Sequence, residues 1–268
     1  MKYYSATTSE EEVDSVTIQP PFNILCSYHY WKKKQNKVIE YLKNGFDIFL
    51  DSGAFSAMNS GKAINIDEYC NYIKQTGVIY YATLDVIGNA KATLENHKYM
   101  INEYGLNPIP AFHMGSKIEE LEPLMEYNYI ALGGLVFSSG IMHHCDEVWH
   151  YILSNKPELK VHGFGLTNIE LMKRYPWHSV DSSSYLSCQK FGRQNIIWNG
   201  INLKTFNEDD YIKLLQKKEY NVKDMSKKQL KNLYRHYSAE SYKLYAQHLH
   251  ELNKHRDFKH LTQQTKLF

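Results

Sequence analysis

Short apolar runs alternate with helix-patterned stretches along most of the chain, and no other feature limits the fold as much. The strand candidates are 22–27 (FNILCS), 46–51 (FDIFLD), 78–85 (VIYYATLD), 108–112 (PIPAF), 129–133 (YIALG), 160–164 (KVHGF), 178–181 (HSVD) and 194–198 (QNIIW). Between them lie segments with apolar residues at helical spacing, among them Val38-Ile39-Tyr41-Leu42, 90–104 and Glu119 to Met125. Strands separated by helices are the pattern of βαβ units around a parallel sheet covered on both faces. Eight such units predict an α/β fold, a closed (β/α)8 TIM barrel, for which ~250 residues is the usual size. An open doubly wound sheet is the alternative, because periodicity does not show closure.

The 268 residues are 43% hydrophobic and 22% charged, which gives a sizeable core and excludes a chain too polar to fold. No apolar run approaches the ~20 residues of a bilayer span, and the opening MKYYSATTSEEEVDS has no apolar signal segment. Cys26, Cys70, Cys145 and Cys188 show no CxxC spacing, so neither a disulfide framework nor a four-ligand zinc site is expected. The reducing cytoplasm is the expected compartment. His143-His144-Cys145, beside Asp146-Glu147, is the one tight cluster of metal-ligand types, and it reads as a solvated helix start. No metal or other cofactor is expected.

The formal charge of +2 excludes a polycation that coats nucleic acid by composition alone. That figure hides an asymmetry. Residues 221–268 hold ten Lys/Arg against four Asp/Glu, a net +6, which leaves the rest of the chain at −4. Leu230, Leu233, Tyr234 and Tyr237 fall at helical spacings, as do Tyr242, Tyr245 and Leu249. The expected organisation is a catalytic barrel over 1–205 and a basic, helical extension over 206–268 packed on it.

Barrel enzymes carry their chemistry at the C-terminal ends of the strands. Those ends read Asp51-Ser52-Gly53-Ala54-Phe55, then Asp85, His113, Gly133-Gly134-Leu135, Gly163-Phe164-Gly165 and Asp181 with three serines after it. Any one of them has a bland explanation: Asp at a strand end is a common helix cap, and a single His is more often a core or rim residue. Together they bring three carboxylates and a histidine to one face, with glycines where a flat ligand could approach the backbone.

These residues resemble the tRNA-guanine transglycosylase superfamily. Asp51-Ser52-Gly53-Ala54-Phe55-Ser56 is similar to its DSG-G-F-Q signature, Ala131-Leu132-Gly133-Gly134-Leu135 to its GGL strand end, and Gly163-Phe164-Gly165 followed by Asp181 to its G-x-G and later aspartate. The similarity runs in matching order from about Phe46 to Arg193. It implies exchange of a guanine in a nucleic acid for a free 7-deazaguanine base without cutting the backbone. Carried over, Asp181 is the nucleophile on C1′ and Asp51 the general acid/base. Asp85 reads the guanine edge, the Gly133-Gly134 backbone contacts its carbonyl, and Phe55 stacks on the base with His162 on its other side. His113 falls where the family has a base-reading glutamine, and Gly165 belongs to the same pocket. Displacement at C1′ suits a carboxylate pair, one capturing an oxocarbenium-like centre and one handling the proton, ~5 Å apart for a retaining double displacement.

Two departures bear on the substrate. The CxCxxC zinc subdomain of the tRNA enzymes has no counterpart, and Ser56 replaces their glutamine. A short, zinc-free chain is similar instead to the bacteriophage DNA 7-deazaguanine transglycosylases, which implies DNA as the partner and a host cytoplasm. Lys190, Arg193, Lys227, Lys228, Lys231 and Arg235 are then the expected phosphate contacts. The alternatives are a transglycosylase acting on RNA, a glycoside hydrolase using Asp51 and Asp181, and a catalytically silent nucleic-acid-binding barrel.

Overall fold

The computed structural model describes residues 1–17, 20–113, 115–135, 140–166, 168–186, 195–258 and 261. At its centre are eight parallel strands: β1 (Lys2–Thr7), β2 (Asn23–Ser27), β3 (Asp47–Asp51), β4 (Tyr80–Tyr81), β5 (Ala111–His113), β6 (Tyr129–Gly133), β7 (Lys160–Gly163) and β8 (Ser179–Ser182). Their order is β4-β3-β2-β1-β8-β7-β6-β5. A parallel bridge between Ala82 and Ile109 joins the two ends of this sheet, with Ile109 N–H donating to Tyr81 O at 2.8 Å and Thr83 N–H to Ile109 O at 3.0 Å. The order therefore runs around a ring, and the barrel expected from the sequence is the fold.

One member of that ring differs from the sequence expectation. The run 194–198 is not a barrel strand: β9 (Asn195–Trp198) pairs antiparallel with β10 (Leu203–Phe206) in a separate two-stranded ribbon. Its place is taken by β1, which pairs with β2 through Ser5↔Ile24 and with β8 through Tyr4↔Asp181. Lys-Tyr-Tyr-Ser-Ala-Thr carries no aliphatic run, so it gives no apolar strand signal. It tolerates burial on both faces because its polar groups are small and find partners, as when Thr7 Oγ1 donates to Leu25 O at 3.2 Å.

Period-two alternation sends one set of side chains inward. Tyr4, Leu25, Phe49, Ala82, Ile109 and Ala131 fill the barrel interior, with Tyr129 and Phe164 packed against them. The opposite faces meet the helices α1 (Glu10–Val16), α2 (Tyr28–Trp31), α3 (Gln35–Lys43), α4 (Ala54–Asn59), α5 (Ile66–Thr76), α6 (Ala90–Tyr104), α7 (Ile141–Asn155) and α8 (Ile169–Arg174). Asn65 and Asn89 cap α5 and α6, their side chains accepting from first-turn N–H groups. The stretch Ile118–Glu126 is a 3-10 helix rather than an α-helix, and Pro123 within it removes a donor that an α-helix would need.

Beyond the barrel a helix at Glu208–Lys217 precedes a 27-residue helix, Lys227–Asn253, opened by a Ser226/Gln229 capping box. Tyr242 of this long helix stacks on Tyr3 of β1 at 5.2 Å, and Tyr245 meets Trp198 of the ribbon at 5.4 Å. Arg235 donates to Glu11 in the first turn of α1 at 3.0 Å, while Glu251 and Lys254 act on the amino group of Met1. The long helix therefore starts at the end where the barrel strands finish and runs to the end where they begin.

Candidate active site

Asp51 closes β3, and its Oδ2 accepts from Gly53 N–H at 3.0 Å, so the DSG turn does cap itself. Gly53 is held at φ 77, and a Cβ there would lie 2.7 Å from both His29 Cβ and Ser27 Oγ. Only glycine fits this turn, on conformational and steric grounds alike. The Asp51 carboxyl nonetheless titrates far from its ordinary range. Burial, then the charges of Asp85 and Asp181, push its pKa up to about 7, against the opposing Gly53 N–H and Ser27 hydroxyl. Three carboxylates from β3, β4 and β8 thus act on one another at a single end of the barrel.

Asp85 lies just past β4 with a side chain 8% exposed. Its Oδ2 sits 3.2 Å from His113 Nε2, while Oδ1 is buried without a hydrogen-bond partner. Burial opposes a charge on His113, but the bond to Asp85 and its charge outweigh this and raise the histidine pKa. The imidazole rests on Gly133, where a Cβ would come 2.5 Å from Nδ1. Gly133 is small to admit His113, a neighbour within the protein, and Gly134 turns the chain away at φ 78.

Asp181 of β8 is buried, 5% exposed, and its Oδ1 accepts from Gly165 N–H at 3.0 Å and lies 3.2 Å from His162 Nε2. His162 is entirely enclosed. Its ring stacks on Phe49 at 4.4 Å and meets the edge of Phe164 at 4.7 Å, so it cannot cover a ligand at the mouth. The expected base-stacking role for His162 is corrected by this enclosure: β7 points the residue into the barrel at the level of Ser179, below the strand ends. Phe55, by contrast, stands on α4 with 51% of its surface exposed. A groove of about 390 Å³ opens beside Asp85, between α4 with the loop after it (Ala57, Met58, Lys62) and the loop after β4 (Leu84, Val86, Ile87).

The expected phosphate contacts fare differently from one another. Lys190 and Arg193 lie outside the described residues. Lys227 and Lys228 are exposed at the start of the long helix, and Lys231 is 3.9 Å from Glu11. Arg235 is 7% exposed and bonded to Glu11, so it ties the long helix to α1 and does not present a surface cation.

Among the described residues, no group of three or more His, Cys, Asp and Glu side chains is arranged to hold a metal ion. In α7, His143 is exposed while Cys145 is buried in the core, so that trio diverges. No described helix is long and apolar enough to cross a membrane. The residues that sequence reasoning missed are Ser179 and Tyr129. Both were accessible through period-two alternation, since Ser179 shares a face with Asp181 and Tyr129 with Ala131 and Gly133.

No protein-family model matches the chain, and no curated protein matches it. Solved structures do. One described as "Native KDPGal structure" superposes with a TM-score of 0.50 at 9% identity, covering 92% of this chain and 97% of that one. An open form of tryptophan synthase from M. tuberculosis with BRD0059 bound gives 0.45 at 10% identity, covering 70% of this chain and 85% of that one. At this identity the first likeness is one of fold, and it agrees with the TIM barrel seen here.

Proposed function

We propose that the protein is a base-exchanging transglycosylase that replaces guanine in DNA with a 7-deazaguanine by double displacement. The observation that carries this reading is the division between Asp181 and Asp51. Asp181 Oδ1 accepts from Gly165 N–H and lies 3.2 Å from His162 Nε2, contacts that hold the carboxyl group in place as a nucleophile. Asp51, raised to about 7, exchanges a proton near neutral pH. A carboxyl group that titrates near neutrality suits the acid/base role, and the anchored one beside it suits the nucleophile.

In the reaction Asp181 attacks C1′, the bond from C1′ to the base breaks, and the bonding pair leaves with guanine, which Asp51 protonates. The incoming base then gives its proton to Asp51 and attacks C1′, and the bond to Asp181 breaks. No net redox change or cofactor is needed. Asp85, with one oxygen on His113 and the other unpartnered, offers an acceptor to the N–H donors of a guanine edge. Exposed Phe55 supplies an aromatic face for a base taken out of its stack. Lys227 and Lys228 supply phosphate contacts at the same end of the barrel.

The test is to incubate duplex DNA carrying labelled guanine with the protein and 7-cyano- or 7-aminomethyl-7-deazaguanine, in parallel with tRNA, and to weigh the nucleosides. Release of label with gain of the deazaguanine nucleoside in DNA is expected. Exchange confined to tRNA moves the substrate to RNA. Unchanged nucleosides in both, with salt-sensitive binding that Asp181→Asn does not alter, leave a silent nucleic-acid-binding barrel.

A further inference from the structure

Four polar side chains stand in a row through a barrel interior whose buried members are otherwise Tyr4, Leu25, Phe49, Ile109 and two alanines. Tyr129 Oη lies 2.5 Å from Ser179 Oγ, Ser179 Oγ lies 2.6 Å from His162 Nδ1, and His162 Nε2 lies 3.2 Å from Asp181 Oδ1. Ser179 and His162 are both fully enclosed. Placing polar groups there is costly unless each is bonded, and aliphatic residues would fill the same volume without that cost. The row also has a direction. Asp181 Oδ1 already accepts the Gly165 amide, and an oxygen that also accepts from His162 requires the proton on Nε2. In the neutral imidazole Nδ1 is then an acceptor, Ser179 donates its one hydroxyl proton to it, and Ser179 Oγ in turn accepts from Tyr129.

We propose that Tyr129, Ser179 and His162 form a one-way donor chain that locks the imidazole as its Nε2–H tautomer, anchors Asp181 through Oδ1 and leaves Oδ2 as the reacting oxygen. Among the described residues the two bonds to Asp181 both reach Oδ1 and none reaches Oδ2. His162 is on this view a positioning residue: it touches no substrate, and it fixes which lone pairs of Asp181 are free and where they sit. Second-row partners of this kind set the tautomer and orientation of the group they hold. The catalytic consequence rests on the reading of Asp181 as nucleophile; the tautomer and the anchoring do not.

The experiment has two arms on the full chain. In the first, histidine is labelled with ¹⁵N and two-bond proton–nitrogen spectra are recorded at pH 7.5, with the His162 signals identified by their loss in His162→Gln. A protonated Nε2 and a bare, hydrogen-bonded Nδ1 are expected, with the Nδ1 signal moving in Ser179→Ala. A proton on Nδ1 in the wild type overturns the chain. In the second arm, base exchange is followed in variants whose folding is checked by denaturant midpoint. His162→Phe should lower kcat about 10- to 100-fold with KM nearly unchanged, and His162→Gln, which keeps a donor, should restore part of it. Loss of stability with kcat intact would reduce the row to packing and overturn the positioning role. Absence of exchange in the wild type sinks the proposed function instead, and the spectra still decide the chain.

Discussion

The two ends of the barrel treat their charges in opposite ways. At the end where the strands begin, Asp47 is neutralised by Lys2 at 2.7 Å and accepts from the Tyr4 hydroxyl at 3.1 Å. At the end where they finish, Asp51, Asp85 and Asp181 pair with no Lys or Arg among the described residues, and His113 is the one ion-pair partner that Asp85 has. The first arrangement leaves neither of its charges unpaired. The second relieves its repulsion only through two histidines, His113 on Asp85 and His162 on Asp181, and through the raised pKa of Asp51. On the proposed function, the chemistry belongs to the second end, where the strands finish.

The largest break in that contrast comes from Asp181→Asn. Base exchange should fall by roughly 10⁴-fold and any covalent adduct trapped on denaturation should vanish, as seen by intact-protein mass after quenching. Next is Asp51→Asn, expected to slow exchange ~10²- to 10⁴-fold and to abolish the fall in base release above pH 7. The same substitution should stabilise the protein. Because the folded-state pKa lies above the ordinary carboxylate value, the folded protein holds a proton that the unfolded chain gives up. Wild-type stability therefore falls as pH rises from about 4 to about 7. The variant should gain up to ~4 kcal/mol above pH 7 and nothing below pH 4, read from denaturant midpoints across that range.

Gly133→Ala sharpens the comparison within the mouth. Its Cβ must displace the His113 ring from above the backbone, separating it from Asp85, at ~1–3 kcal/mol and with weaker binding of the free base by calorimetry. Lys227→Ala with Lys228→Ala should weaken DNA binding evenly across sequences and flatten its salt dependence by about one per lysine, as titrations at several salt concentrations will show. Smallest is Asp47→Ala on the floor. The Lys2 side chain is 43% exposed, so its ion pair contributes little, and losing the Tyr4 contact brings the total to ~1 kcal/mol with no change in exchange rate.

The strand runs and the acidic face were legible because period-two patterning and strand-end aspartates are local signals. Asp51, Asp85, His113 and Asp181 could be named from their positions after apolar runs. The eighth strand could not, since β1 is Lys-Tyr-Tyr-Ser-Ala-Thr and its burial depends on neighbours that arrive more than 170 residues later, such as Ser182, whose carbonyl accepts from Tyr3. The ribbon strand β9 looked like a barrel member because periodicity does not say which sheet a strand joins. His162 was misread for a related reason. Its distance along β7 from the strand end, and not its residue type, decides whether it faces a ligand or the interior.

The joint between β4 and β5 gives the barrel wall an uneven stiffness. Asn23 through Ser27 pair continuously with Asp47 through Asp51, whereas the ring closes at Ala82↔Ile109 through one bridge. The contact between Asp85 and His113 spans that joint on the mouth side. Local opening follows the thinnest hydrogen-bonded region. The amides of Thr83 and Ile109, which bond across the joint, should exchange with deuterium faster than those of β2 and β3 in the free protein. They should slow when the pocket fills, which makes the seam a gauge of occupancy that can be read without following any chemistry.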